Sequence, residues 1–163
     1  NFDWVNPSSS LPSGTPSVVV TSFVIDGVFK YYQVSGDPRA KELILSSSNY
    51  ILNDIPITEY ESGISFSYTH LSKGSCYNAS LLAAEILAKV DKINASDHHL
   101  KKKKKAVDFV IDKQKSDGSW YYSYNPVRKT EYKQIDFHQG FILVSLGNIR
   151  NLYPGQFDCY KKI

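Results

Sequence analysis

The sequence has no methionine and only two cysteines among its 163 residues. Cys76 and Cys159 lie far apart and match no metal-binding or redox spacing, so a disulfide is allowed but nothing indicates one. Without methionine, and opening on Asn-Phe-Asp-Trp-Val-Asn-Pro, the sequence reads as a piece or trimmed product of a longer chain. No apolar run approaches the ~18 residues of a bilayer span, and no charged-then-apolar leader precedes the first structured segment. The expectation is a soluble, cytoplasmic protein with no membrane span. A Gly-x-Ser-x-Gly elbow and a phosphate-cradling glycine loop are both missing. His98-His99 have no cysteine or carboxylate at ligand spacing, so neither a metal nor a cofactor is expected.

Charge of one sign is also scarce outside a single run. The net charge is +3, and five of the nineteen basic residues are Lys101 to Lys105, leaving the remainder close to neutral. With no interleaving of basic and aromatic residues, nucleic acid is not an expected partner. The lysine run and His98-His99 read as a solvated helix start. Asn78-Ala-Ser80 and Asn94-Ala-Ser96 match the glycosylation acceptor pattern, but Asn78 opens an apolar segment, and both matches are read as accidental.

A composition of 42% hydrophobic and 21% charged residues is that of a globular domain with a real core. Residues 1–16 read as an irregular arm whose Phe2, Trp4 and Val5 dock on that core. A helix is expected over 17–35, apolar on nearly every face through Val18, Val19, Val20, Phe23, Val24, Ile25, Val28 and Phe29. Gly36-Asp37-Pro38 supplies a stop, a cap and a first-turn proline for a one-sided helix over 37–53. After an aromatic linker, the alternation repeats as an all-apolar helix over 78–90 and an amphipathic one over 97–115. A third all-apolar helix follows over 135–148, and 151–163 form a tail.

Superposing Ser22-Phe23, Ser80-Leu81 and Gly140-Phe141 gives spacings of 58 and 60 residues, while Asn49-Tyr50-Ile51 and Asp108-Phe109-Val110 lie 59 apart. Such a period implies repeated αα-hairpins that bury their apolar faces against one another. The expected fold class is all-α, with inner helices crowded together, outer helices covering them, and short aromatic loops between hairpins. About two and a half hairpins lie within 17–150.

Gln114-Lys-Ser-Asp117-Gly118-Ser119-Trp120 resembles the glutamine-tryptophan repeat of terpenoid cyclases and prenyltransferases, and the hairpin pattern resembles the (α/α) toroid superfamily. In that repeat, glutamine and aspartate cap helix ends and tryptophan stacks between hairpins. Thr21-Ser-Phe, Phe66-Ser-Tyr68, Asn78-Ala-Ser-Leu-Leu82, Trp120-Tyr-Tyr122 and Ile135-Asp-Phe-His-Gln-Gly-Phe141 are similar to a bacterial and archaeal toroid group associated with polysaccharide biosynthesis. The resemblance implies a carbohydrate ligand in a cleft at one end of the inner helices, as in related glycosidases, polysaccharide lyases and uronate epimerases. It also implies that the remainder of a ring, or an oligomeric partner, completes the structure. The acidic motif of terpenoid cyclases and the zinc-binding set of protein prenyltransferases have no match, which leaves isoprenoid handling as the weaker reading.

The repeat alignment places Asn78-Ala79 and His138-Gln139 at equivalent helix starts, with the aromatic loops preceding them. Helix N-termini gathered at one mouth favour an anionic ligand. His138 and Tyr68 are the candidate acid and base, with His70 as a second candidate base. Asn78, Asp136 and Gln139 are expected to position the ligand, and Trp120, Tyr121 and Tyr122 to hold its sugar rings. The alternatives are that Asp136 is an N-cap, that His138 is a core histidine and that Tyr121 and Tyr122 pack between hairpins. The competing function is a non-catalytic repeat scaffold or binding module.

Overall fold

Helix α3 (Tyr77–Asn94) is buried at every residue from Tyr77 to Asp91. Its run of leucines and alanines offers no polar face to water, so it must be enclosed. The enclosing helices are α1 (Val18–Ser35), α2 (Pro38–Asn49), α4 (Leu100–Asp112) and α5 (His138–Leu152), all of which pack on it. The computed structural model describes residues 4–6, 9–72 and 74–157, with side chains from Leu11 onward. The expected docking of Phe2, Trp4 and Val5, and the state of Cys159, lie outside what is described.

Local signals set the helix ends. The Ser17 hydroxyl accepts the Val20 amide at 3.2 Å, and Gly36, at φ +65°, closes α1 by donating its amide to the Tyr32 carbonyl. Asp37 then caps α2 by accepting the Arg39 amide, with Pro38 in the first turn. A single π-helical turn, Tyr50–Asp54, follows directly. Beyond the expected tail boundary, α5 runs to Leu152, and Tyr153 and Phe157 join the core.

Two expectations are overturned. The chain is not all-α but mixed α/β, with two small antiparallel sheets and an N-terminal hairpin beside the helices. β3 (Ile57–Tyr60) and β4 (Gly63–Phe66) form one sheet, with Ile57 opposite Phe66. β5 (Ser75–Cys76), β6 (Ser123–Asn125) and β7 (Thr130–Tyr132) form the other in that order. The arm expected to be irregular carries β1 (Trp4–Asn6) paired with β2 (Ser9–Leu11). The segments taken for aromatic loops are short runs of β-branched, hydroxyl and aromatic residues closed by tight turns, which is strand chemistry.

The second correction concerns the inner helices. Helix α3 alone is enclosed; α1 buries Val18, Ser22, Ile25 and Phe29, and α5 buries Ile142, Ser145, Leu146 and Ile149. Val20, Phe23 and Val24 of α1 and Leu143 and Val144 of α5 are exposed, because the described elements pack on only one side of each helix. Phe23 and Phe141 touch at a ring separation of 5.5 Å, which joins the two exposed faces.

Charge enters the core with α3. Glu85 and Lys89 pair at 2.7 Å, Lys89 also reaches Asp26 of α1 at 3.0 Å, and Asn148 of α5 donates to Glu85. Asp91 is fully buried and accepts the His99 amide, the His99 ring and the Lys103 ammonium, the last at 2.7 Å. Thus the lysine run is not wholly solvated. Lys103 is fully buried with its ammonium 3.7 Å over the Tyr153 ring, and His99 belongs to the same network rather than to a solvated helix start. Burial works to raise the Asp91 carboxyl, but the Lys103 ammonium and the His99 amide outweigh it and hold the group below the ordinary carboxylate range.

Two predictions follow from this packing. Gly63 sits at φ +151°, and a Cβ there would lie 2.0 Å from the Lys105 carbonyl oxygen, so β4 rests directly on the α4 backbone. Gly63→Ala is therefore expected to cost about 1–3 kcal/mol or more in urea unfolding. Replacing Asp91 by Asn leaves Lys103 buried without its counter-charge and is expected to cost about 3–5 kcal/mol at neutral pH. Because the folded-state pKa of Asp91 is depressed, its contribution is complete above the usual carboxylate range and is lost as pH falls through the folded value. The acid limb of a stability-pH curve should accordingly flatten in Asp91→Asn.

Candidate functional site at the helix N-termini

The N-terminal ends of α3 and α5 are linked through Cys76 and Tyr122, and Tyr68, which holds the start of α1, lies near them. Ser17, the cap of α1, shares a hydrogen bond with the Tyr68 hydroxyl, and the Tyr68 carbonyl accepts the Val18 amide at 3.0 Å. Cys76 immediately precedes α3; its thiol donates to Asn78 Oδ1 at 2.9 Å, and its sulfur is bonded by the Tyr122 hydroxyl. The Tyr122 ring then meets His138, the first residue of α5, edge to face at 4.7 Å.

The β5-β6-β7 sheet explains why these groups meet. Cys76 is opposite Ser123, so the strand that carries Tyr122 is held against the start of α3, and the Tyr77 amide donates to the Tyr122 carbonyl. Tyr122 in turn donates its own amide to Tyr132 of β7. The loop before β6 is fixed from the other side: Trp120 donates its amide to Gln139 Oε1 at 2.9 Å and its indole N–H to the Val110 carbonyl at 2.7 Å.

His138 and Asp136 are both partly open, each with about a quarter of its side chain exposed. The His138 Nδ1 lies 2.6 Å from Asp136 Oδ1, and the same carboxylate oxygen accepts the His138 backbone amide at 3.0 Å. Asp136 thus accepts the first amide of α5 from just outside its N-cap, Phe137, and orients the imidazole. A hydrogen bond from the Gln134 amide, then the His138 amide, hold the Asp136 carboxyl down at about 2, so it is ionised at neutral pH. With Nδ1 engaged, the imidazole presents Nε2 as its working nitrogen. The tyrosines are tuned oppositely. Burial pushes the Tyr122 and Tyr68 hydroxyls up, with the nearby Cys76 adding to both, so each remains a phenol that can donate. Burial also pushes the Cys76 thiol up, which makes it a hydrogen-bonding group rather than a nucleophile.

The structure links Asn78, Tyr122, Asp136 and His138 through contacts around Cys76, with Tyr68 nearby. It places other expected residues differently. Trp120 is only 1% exposed and roofs the C-terminal turn of α4, so it cannot stack on a sugar. Asn78 is 2% exposed and occupied by the Cys76 thiol. Gln139 holds the Trp120 amide, and Tyr121 has the Lys115 ammonium 3.4 Å over its ring. Each of these side chains thus has a partner within the fold. His70 is exposed on the turn beyond Thr69, and no hydrogen bond among the described residues ties it to the cluster. Sequence reasoning passed over Cys76, Ser17 and Gln134. For Cys76 the signal available was its place just ahead of the apolar run that Asn78 opens.

Among the described residues no group of three or more His, Cys, Asp or Glu is arranged to hold a metal ion, and no helix is long and apolar enough to cross a membrane. No protein-family model matches the chain, and no curated protein matches it at a significant level.

The coupling of loop to helix is testable. Gln139→Ala leaves the Trp120 amide without its acceptor and should cost about 1–3 kcal/mol in chemical denaturation. Rotation of the aromatic loop should also appear as a change in the near-ultraviolet circular dichroism of Trp120.

Proposed function

We propose that the chain binds and acts on an acidic carbohydrate at the mouth formed by the N-termini of α1, α3 and α5. The observation that carries this reading is the pairing of His138 Nδ1 with an ionised Asp136 at 2.6 Å, at the first residue of a helix and against the Tyr122 ring. The leading amides of the three helices are taken up by protein acceptors, so what favours a carboxylate on the ligand is the dipole of the helix N-termini. His138 Nε2 is then the proton acceptor for a carbon or hydroxyl beside that carboxylate, and the Tyr68 phenol is the proton donor, the Tyr122 hydroxyl being held by the Cys76 sulfur. Hydrolase, lyase and epimerase chemistry all use such a pair. The free Cys76 thiol is in keeping with a cytoplasmic setting. The apolar face shared by Phe23 and Phe141 supports a further chain segment or an oligomeric partner as its cover.

A non-catalytic binding module is the second reading. It is favoured by the enclosure of Trp120, Asn78 and Cys76, which makes much of the cluster structural.

Turnover of uronate-containing glycans separates the two. His138→Ala and Tyr68→Phe, made singly, are expected to lower the rate by about 10²–10⁴-fold and at least tenfold respectively, with unchanged melting temperature. Unchanged rates in both variants would remove the assigned roles. Because the Asp136 carboxyl titrates at about 2, it stays ionised above about pH 4 and contributes no limb to the rate profile there. Asp136→Asn should depress the rate across that whole range rather than shift one limb.

A further inference from the structure

A concave surface lies beyond the other end of the β6 strand. It encloses about 350 Å³, within the ~300–1,000 Å³ of ligand clefts, between the C-terminal end of α4 and the β6–β7 hairpin. Its walls combine Lys113, Lys115 and Lys129 with the carboxylates of Asp112 and Glu131, the Gln114 side chain and the Tyr124 ring.

The cations on one wall are held in place. Lys115 bonds Glu131 at 3.2 Å while its ammonium sits 3.4 Å over Tyr121, and Lys113 bonds Asp112 at 2.8 Å and stands 5.3 Å over Tyr124. Glu131 is fixed in turn by the hydroxyl of Tyr77, which donates at 2.8 Å. Tyr77 is the first residue of α3, directly between Cys76 and Asn78 of the mouth. Lys129, at φ +52° on the hairpin turn, and Lys133, near Tyr121, add exposed positive charge beside these pairs. Lysines therefore outnumber carboxylates at the groove, and those on the α4 wall are preorganised rather than waving in solvent.

We infer that this groove is a subsite for a neighbouring carboxylated sugar unit of the polymer whose reacting unit lies at the His138 mouth. The class of ligand rests on the proposed function; the groove itself does not. Tyr122 of the mouth and Tyr124 of the groove are two residues apart on one extended segment, about 7 Å along the chain. That separation is of the order of one sugar unit. The lining selects the polymer type. Alternating ammonium and carboxylate groups suit a chain with one carboxylate per unit and several hydroxyls, which need acceptors as well as cations. A nucleic acid offers a phosphate at every unit, which Asp112 and Glu131 oppose, and the Tyr121 and Tyr124 rings have lysines over them rather than open faces for base stacking.

The test is calorimetric titration of the whole chain with a uronic-acid hexasaccharide, a neutral hexasaccharide and a single-stranded oligonucleotide. Lys129→Glu/Lys133→Glu alters two exposed side chains and should leave the fold intact, as a thermal melt checks. The expected result is saturable binding of the uronate hexamer alone. The double variant should weaken it at least tenfold, and the wild-type affinity should fall as salt rises. His138→Ala should retain hexamer binding within a few-fold while losing turnover. If the wild type binds no uronate hexamer, the carbohydrate reading itself fails. If it binds but the double variant binds equally well, the groove assignment fails and the mouth survives. Equal binding of the oligonucleotide would overturn the ligand class in favour of general polyanion recognition.

Discussion

Enclosing a helix that carries charge is the constraint from which the rest of this structure follows. Helix α3 is surrounded on every side, yet Glu85, Lys89 and Asp91 lie along it, and an unpaired charge in such a place would cost several kcal/mol. Each therefore has a partner on another element: Asp26 on α1, Lys103 and His99 at the start of α4, and Asn148 on α5. These partners fix how the neighbouring helices are rotated about α3, which the non-directional apolar contacts would leave loose. Small side chains at Ala83, Ala84 and Ala88 let the neighbours approach closely enough for the pairs to form.

The fixed position of α3 also fixes its N-terminus, and with it Cys76, Tyr77 and Asn78. From that point two sets of polar groups diverge. One passes through Cys76 and Tyr122 to His138 and Asp136 at the mouth. The other passes through Tyr77 and Glu131 to Lys115 at the groove. The short β5-β6-β7 sheet is the common frame, since it presses the strand after Trp120 against the start of α3. The proposed reacting site and the proposed adjoining subsite are thereby connected through protein groups rather than through a flexible loop.

Much of the helical framework was legible in the sequence, and the reasons are local. Ser17, Gly36, Asp37 and Pro38 mark helix ends whatever the tertiary context, and the run from Leu81 to Ala88 has no polar side to expose. The strands were missed because β3 to β7 are only two to four residues long and lie between strong helical periods. Their alternating Ile57-Thr-Glu-Tyr60 and Gly63-Ile-Ser-Phe66 pattern was there to be read. The burial of Lys103 was not, because a lysine within Lys101 to Lys105 is distinguished from its neighbours only by partners on other elements, Asp91 twelve residues earlier and the Tyr153 ring. At the site, repeat alignment put His138 and the Tyr122 loop at one end of the helices, but not the contact of His138 with Asp136, since residues two apart do not share a helical face and this one forms just ahead of the helix. The enclosure of Trp120 and Asn78 was not legible either, since burial depends on how the β6 segment docks.

The central claim is that the imidazole of His138, set by Asp136 at the start of α5, faces the ligand. The most direct measurement is a titration of uronic-acid hexasaccharide into isotopically labelled protein, following the imidazole resonances of His138 and, as an internal control, those of exposed His98. The account predicts a saturable shift at His138 with His98 unmoved. A His138 ring that stays unperturbed while the protein is saturated with the sugar would contradict it.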